Sequence, residues 1–189
     1  MSIWDQQQTA ELGYWKSQNL KAIRRQLSFI LRYFFRLPFS YFEPYTVLEV
    51  GTGPVGFVSL FKAKTKYGVE PLLKEFDKIF ELPKDVKFFG CKAEHIPIKD
   101  DVVDIVLCFN VIPTHVDNTD KCLKEIYRVM KSGGLFIFGM KDDKEDQFHR
   151  HVLSRTVMQE KIASYFTIIR TIDKYRMFGV FGKKEANNL

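Results

Sequence analysis

Residues Thr46 to Gly56 read TVLEVGTGPVG, a five-residue apolar run carrying one acid and passing at once into a turn with glycines at 51, 53 and 56. The run has the length and β-branched content of a buried strand. GFVSLFKAK, directly after it, reads as the helix that follows the turn. A strand feeding a glycine turn and then a helix is the first half of a βαβ unit, which commits the chain to an open, largely parallel sheet. In such sheets ligands bind beyond the carboxyl ends of the strands, where this turn lies.

The remaining segments repeat the alternation. KYGVE is a short strand ending at Glu70, and PLLKEFDKIFEL is a helix opening on proline, a favoured first residue. DVKFFGC and DVVDIVLCFN are the next strands, and TDKCLKEIYRVM is an amphipathic helix that SGG closes with a glycine cap. LFIFGM is a further strand, followed by a helix through HVLSRTVMQEKIASYF and a hairpin from TIIRTID and MFGVFGK. Ahead of them, QNLKAIRRQLSFILRYFFR places Leu20, Ile23, Leu27, Ile30, Leu31 and Phe34 at helical spacing, with its basic residues largely opposite, and Pro38 ends that helix.

A chain of 189 residues with 46% apolar residues can bury one full core. Cys91, Cys108 and Cys122 are too scattered for a disulfide framework and form no Cys-x-x-Cys pair, so no metal site is expected and a reducing cytoplasm is. The N-terminus lacks the basic start and apolar core of a signal peptide, and no apolar run has the length of a membrane span. The net charge of +6 is carried by the ends: residues 1–45 hold six Lys/Arg against three Asp/Glu, residues 141–189 hold ten against seven, and the middle balances. Such an excess biases the chain toward anions without naming a partner.

Glycines let backbone approach a ligand, and an acid about 20 residues on can grip a ribose diol. Glu70 stands at that distance from Gly51. These two features serve a nicotinamide-dependent oxidoreductase and a methyltransferase equally. Glu49 separates them: a buried acid just before the glycines suits a cationic ammonium better than a pyrophosphate.

Two further segments stand in fixed order behind the loop, AEHIPIKDDVVDIV and LKEIYRVMKSGG. With LEVGTGPVG they resemble the class I S-adenosylmethionine-dependent methyltransferases, in particular the type 11 small-molecule group, closely over residues 45–140. The resemblance implies an α/β, Rossmann-like fold: a mostly parallel seven-stranded sheet of order 3-2-1-4-5-7-6, helices on both faces and a C-terminal antiparallel hairpin. It implies a cap segment over 1–44 and an S-adenosylmethionine-binding domain over 45–189. Gly51, Thr52 and Gly53 would lie against the methionine part of the cofactor, Glu49 would organise its amino end, and Glu70 would take both ribose hydroxyls. Ala93 and Glu94 would follow the adenine edge, and Asn110 would face the cofactor and the acceptor mouth. Lys92 departs from the pattern, standing where family members often have an acid for the adenine amino group.

The expected activity is methyl transfer to an oxygen or nitrogen of a small molecule, a sugar or another metabolite, with no nucleic acid and no metal involved. A non-catalytic cofactor-binding scaffold, an RNA-associated module and a nicotinamide-dependent oxidoreductase are the alternatives. His115, just beyond the fourth strand, is the candidate base, its other reading being a hydrogen-bonded loop histidine. Asp117 is read as an N-cap neighbour, and His149 and His151 as surface residues. The N-terminal basic helix is read as packed on the sheet, a lid or a membrane-surface contact being the sharper alternative.

Overall fold

The computed structural model of the protein describes residues 3–141 and 153–186, so His149 and His151 lie outside the described residues. Seven strands form one sheet in the order β3-β2-β1-β4-β5-β7-β6. The central strands, β1 (Thr46–Val50) and β4 (Val103–Phe109), run parallel with Val47 opposite Ile105 and Val50 opposite Cys108. β2 (Thr65–Val69), β3 (Lys87–Phe89) and β5 (Met130–Lys141) extend the parallel part. β6 (Thr167–Lys174) and β7 (Met177–Lys183) close it as an antiparallel hairpin. Its two-residue turn, Tyr175–Arg176, holds both residues at positive φ, the geometry of the primed turns that match strand twist.

Helices cover both faces. On one, α4 (Thr119–Val129) and α5 (Arg155–Ala163) bury Cys122, Leu123, Ile126, Met158 and Ile162 against Val106, Cys108, Phe136 and Phe138. On the other lie Ile30, Leu31, Phe34 and Phe35, packed on Ile105, Leu107, Ile137 and Phe181. These four belong to a π-helical turn, Ile30–Phe34, and its cap, continuing α2 (Leu20–Phe29). Arg36, in the left-handed region at φ 59, turns the chain ahead of Pro38. α1 (Ile3–Ser17) precedes α2, whose start is capped by Asn19: its side-chain oxygen accepts from the Lys21 and Ala22 N–H groups at 3.0 and 3.2 Å.

Three local readings of the sequence change. The segment after the glycine turn makes only a short 3₁₀ turn, Phe57–Ser59, because the chain returns at once to the sheet: the Lys64 N–H donates to the Tyr45 carbonyl at 3.0 Å and β2 begins at Thr65. PLLKEFDKIFEL yields only α3 (Leu73–Asp77). SGG does not cap α4, which ends at Val129 with Met130 already extended. Those residues instead form a bulge in β5, where the four residues between Met130 and Leu135 stand opposite the single residue between Val103 and Ile105 on β4. Gly133, at φ 79, donates its N–H to the Lys184 carbonyl at 2.7 Å, and Lys131 reaches Asp104 at 2.7 Å.

The two downstream motifs turn out to grip each other. Glu125 accepts the Ile96 N–H at 2.9 Å, while Arg128 donates to the Ile96 and Ile98 carbonyls at 2.8 Å each and to Asp100 at 2.6 Å. Glu125 and Arg128 also pair with each other at 2.7 Å. LKEIYR is therefore the clip that holds IPIKD in place. Replacing Arg128 by Met keeps the aliphatic stem and strands two carbonyls; the expected loss is about 2 kcal/mol of unfolding free energy in chemical denaturation. A loss within about 0.5 kcal/mol, the ordinary range of surface substitutions, would show that the clip is dispensable.

Candidate functional site

One cavity of about 710 Å³ opens over the carboxyl ends of the parallel strands, within the usual size of small-molecule sites. Its floor is the glycine turn. Gly51 (φ 72) and Gly53 (φ 55) occupy the left-handed region, and both are tightly covered: a Cβ on Gly51 would lie 2.1 Å from Val111, and one on Gly53 2.6 Å from the Trp15 ring. The loop can take no side chain at either position.

Two buried acids fix that floor. The Glu49 carboxylate accepts the Phe57 and Val58 N–H groups, each at 3.0 Å, and leaves no room for a side chain at Gly56. The Glu70 carboxylate accepts the Gly53 N–H at 2.8 Å and the Leu72 N–H at 3.0 Å. Both acids are buried, at 3% and 6% exposure. Burial pushes Glu49 up to about 8 and Glu70 up to about 7; their backbone hydrogen bonds oppose the shift without cancelling it. Between them Thr52 is buried, and its hydroxyl has no hydrogen-bond partner among the described residues.

The other expected site residues divide. Ala93, Glu94, Asn110 and His115 all line the same cavity as the loop. Asn110 sits at the end of β4 in the left-handed region, φ 55, with its side-chain oxygen accepting the Lys141 N–H at 2.8 Å. Glu94 is committed elsewhere: its carboxylate accepts the Asp117 and Asn118 N–H groups at 2.7 and 3.0 Å, and so holds the loop ahead of α4. Lys92 pairs with Asp117 at 2.7 Å and lies 3.9 Å from the centre of the Trp4 ring. Asp117 thus serves Lys92 and Glu94, while Asn118 is the residue that caps α4, at 2.9 Å from the Lys121 N–H.

The sequence offered residues 1–44 as a cap, but not which of them would line a cavity. α1 contributes Trp4, Gln7, Gln8, Glu11 and Trp15 to the cavity wall, and α2 contributes Ile23, Leu27 and its continuation Ile30. The α1 residues recur at three- and four-residue steps, one face of a helix. That face is polar and aromatic, so a search for an apolar stripe passes over it; the repeat of tryptophan at 4 and 15, three helical turns apart, is the signal that finds it. Trp15 donates from Nε1 to Glu11 at 2.8 Å and meets Phe76 edge-on at 6.3 Å. Phe57, Phe109 and Lys141 complete the wall on the β4–β5 side.

Tyr127 and Lys131 have the Tyr-x-x-x-Lys spacing of one class of hydride-transferring enzymes, but neither lines the cavity. Tyr127 packs on Phe166 and under Lys184, and Lys131 is paired with Asp104 at the other end of β4.

Comparison with known proteins agrees with the geometry. The type 11 methyltransferase-domain family model matches residues 48–138. An uncharacterized protein of Methanocaldococcus jannaschii is 36% identical over 95 residues, 50% of this chain and 44% of that protein, so the match spans less than half of that relative's length. Among solved structures, a SAM-dependent methyltransferase from Aquifex aeolicus has a TM-score of 0.62 at 19% identity, over 88% of this chain and 98% of that one. The PH0226 protein from Pyrococcus horikoshii OT3 reaches 0.67 at 20% identity, over 90% and 93%. A chain in the complex of the Haloferax volcanii Trm112 methyltransferase activator with a methyltransferase reaches 0.72 at 15%, over 93% and 97%. At these identities the structures speak for the fold, which they share throughout. Residues 48–138 therefore match the type 11 methyltransferase-domain family, on a fold that the chain shares with a SAM-dependent methyltransferase.

Proposed function

We propose that this protein transfers the methyl group of S-adenosylmethionine to an oxygen or nitrogen of a small molecule, in a reducing compartment where its three free cysteines persist. The observation that carries the reading is the use made of the Phe57 and Val58 N–H groups. In a dinucleotide site the N–H groups after the glycine turn receive a phosphate. Here Glu49 takes both, and the turn they open is a single 3₁₀ turn. With Glu70 and Glu11 lining the same end of the cavity, that end attracts a cation and repels a pyrophosphate.

The residues present fit the cofactor. Thr52 offers a buried hydroxyl lacking a partner, and Gly51 and Gly53 present bare backbone at the same place. Glu70, at the end of β2, would hold the ribose hydroxyls, Ala93 would lie along the adenine edge, and Asn110 would stand between cofactor and acceptor. Glu49 acts through the loop it shapes, as a positioning residue. When bound, S-adenosylmethionine supplies a methyl group on a positively charged sulfur, a leaving group that needs no further activation. The protein's work is alignment and exclusion of water, which the α1–α2 roof provides over the loop. A protonated acceptor must also lose its proton, and His115, on the cavity wall beyond β4, is the group we assign to take it.

Three measurements check this assignment. Glu70→Ala is expected to weaken binding of S-adenosylhomocysteine at least tenfold in calorimetry, and unchanged affinity would remove Glu70 from the site. Because a carboxylate accepts from hydroxyls better than a carboxylic acid does, wild-type affinity should rise as the pH passes upward through about 7, where Glu70 ionises, and the Glu70→Gln variant should show no such rise. Thr52→Val should cut affinity roughly fivefold while raising the stability of the free protein by about 1 kcal/mol, since it removes a buried hydroxyl without a partner. A variant less stable than wild type and equal in affinity would assign that hydroxyl to the fold alone.

A further inference from the structure

The cavity is longer than one cofactor subsite, and its two ends differ in chemistry. Its wall runs from Lys92 and Glu70, beyond β3 and β2, across the glycine turn to Asn110 and Lys141, beyond β4 and β5. The three strand intervals from β2 to β5, at about 4.8 Å each, separate Glu70 from Lys141 by roughly 14 Å. If Glu70 marks the ribose, the β4–β5 end is where the acceptor enters.

That end is apolar. Leu27 of α2 and Phe109 pack against the cluster that holds Phe57, the Phe57 and Phe109 rings meeting edge-to-face at 5.7 Å, and Ile23, one turn earlier on α2, shares the cavity wall. α2 itself buries no residue fully; full burial starts at Ile30, where the helix passes onto the sheet. Its apolar face over Leu20–Phe29 is thus only partly buried: Ile23 and Leu27 line the cavity, and Leu27 also packs against the core cluster. The placement is fixed, because Arg24 on the same helix donates to the Ser59 carbonyl at 2.6 Å and ties α2 to the turn after the glycine loop. A polyhydroxylated ring against this wall would leave its hydroxyls without partners, at a cost of roughly 1–3 kcal/mol for each one buried. The wall therefore disfavours the sugar acceptor that the sequence alone admitted.

Charge sorts along the same axis. Glu70 and its neighbour Glu11 stand at the cofactor end, while Glu49, bonded to the Phe57 and Val58 N–H groups, lies between the two ends. Lys92 is already paired with Asp117. Among the described residues, the charged side chain on the wall beyond β5 is Lys141, half-buried and without an ion-pair partner among them. A cation on the acceptor would meet Lys141 at one end and the cofactor's own positive charge at the other.

We propose that the acceptor is an amphipathic anion: a flat or chain-like apolar body seated between α2 and the Phe57–Phe109 pair, with a carboxylate-class group on Lys141. This rests on the reading of the site as a methyltransferase site and narrows it to a substrate class. Lys141 is a specificity determinant here, and Leu27 a wall residue that admits the apolar body.

The test uses three probes that share one apolar body, 2-naphthoate, 2-naphthol and 2-naphthylmethylamine, together with glucose. Each is titrated by calorimetry into the full chain saturated with S-adenosylhomocysteine. The expected order is naphthoate tightest, naphthol about tenfold weaker, and the amine and glucose below detection. Lys141→Met should bring naphthoate down to the affinity of naphthol and leave naphthol unchanged. Leu27→Asp should weaken naphthoate and naphthol at least tenfold while S-adenosylhomocysteine still binds, which also shows that the variant is folded. Binding of the amine or glucose as tight as that of naphthoate, or binding of no naphthyl probe, overturns the proposal. Failure of S-adenosylhomocysteine itself to bind is a different result, and overturns the underlying methyltransferase reading.

Discussion

Everything at the mouth of this fold depends on two carboxylates being buried under one glycine turn. Taking a carboxylate out of water costs several kcal/mol unless donors replace the lost hydration. Glu49 and Glu70 each find two backbone N–H groups, and in doing so they tie β1 to the turn at Phe57 and β2 to the turn at Gly53. The turn thereby acquires a shape that its own residues could not hold, with Gly51 and Gly53 in the left-handed region and Gly56 pressed against an acid. The same bonds consume the donors that would make a phosphate site. One pair of interactions thus both builds the floor and selects the charge of what can lie on it.

Away from the floor the sheet is held by hydrocarbon, and polar clips appear only where loops must be positioned. The clip of Glu125 and Arg128 on the 96–100 segment sets the loop beyond β3, and Glu94 sets the one ahead of α4. Both loops reach the cavity wall, at Lys92–Glu94 and at His115. The N-terminal segment divides its work between the two regions. From Ile30 onward it is part of the core, whereas before it, α1 and α2 line the cavity, and Leu27 also packs against the core. Arg170, on the edge strand β6, reaches the Phe35 carbonyl at 2.7 Å and ties this segment to the far end of the chain.

The alternation of strands and helices was legible because it follows from features confined to short stretches, apolar runs of strand length and glycines at fixed offsets, whereas the sheet order came with the family resemblance that three ordered motifs carry. What failed to read was set by contacts distant in sequence. GFVSLFKAK has the composition of a helix, but the Tyr45 carbonyl, nineteen residues before Lys64, draws the chain back to the sheet after one 3₁₀ turn. SGG has the composition of a helix cap and is a strand bulge, because Lys184 and Asp104 hold its neighbours. Glu94 lines the cavity as well, and the bonds its carboxylate accepts from the Asp117 and Asn118 N–H groups join segments more than twenty residues apart. The α1 wall was hidden for a simpler reason: its inward face carries glutamines, a glutamate and tryptophans, and periodicity of apolar residues cannot see it.

The central claim is that a turn whose donors are already taken by Glu49 selects a sulfonium cofactor over a dinucleotide. Titrating the unmodified protein in parallel with S-adenosylhomocysteine, S-adenosylmethionine and NAD tests it most directly. The account predicts saturable one-to-one binding of both adenosyl-sulfur ligands and none of NAD. Saturable binding of NAD with no binding of either sulfur ligand would contradict it.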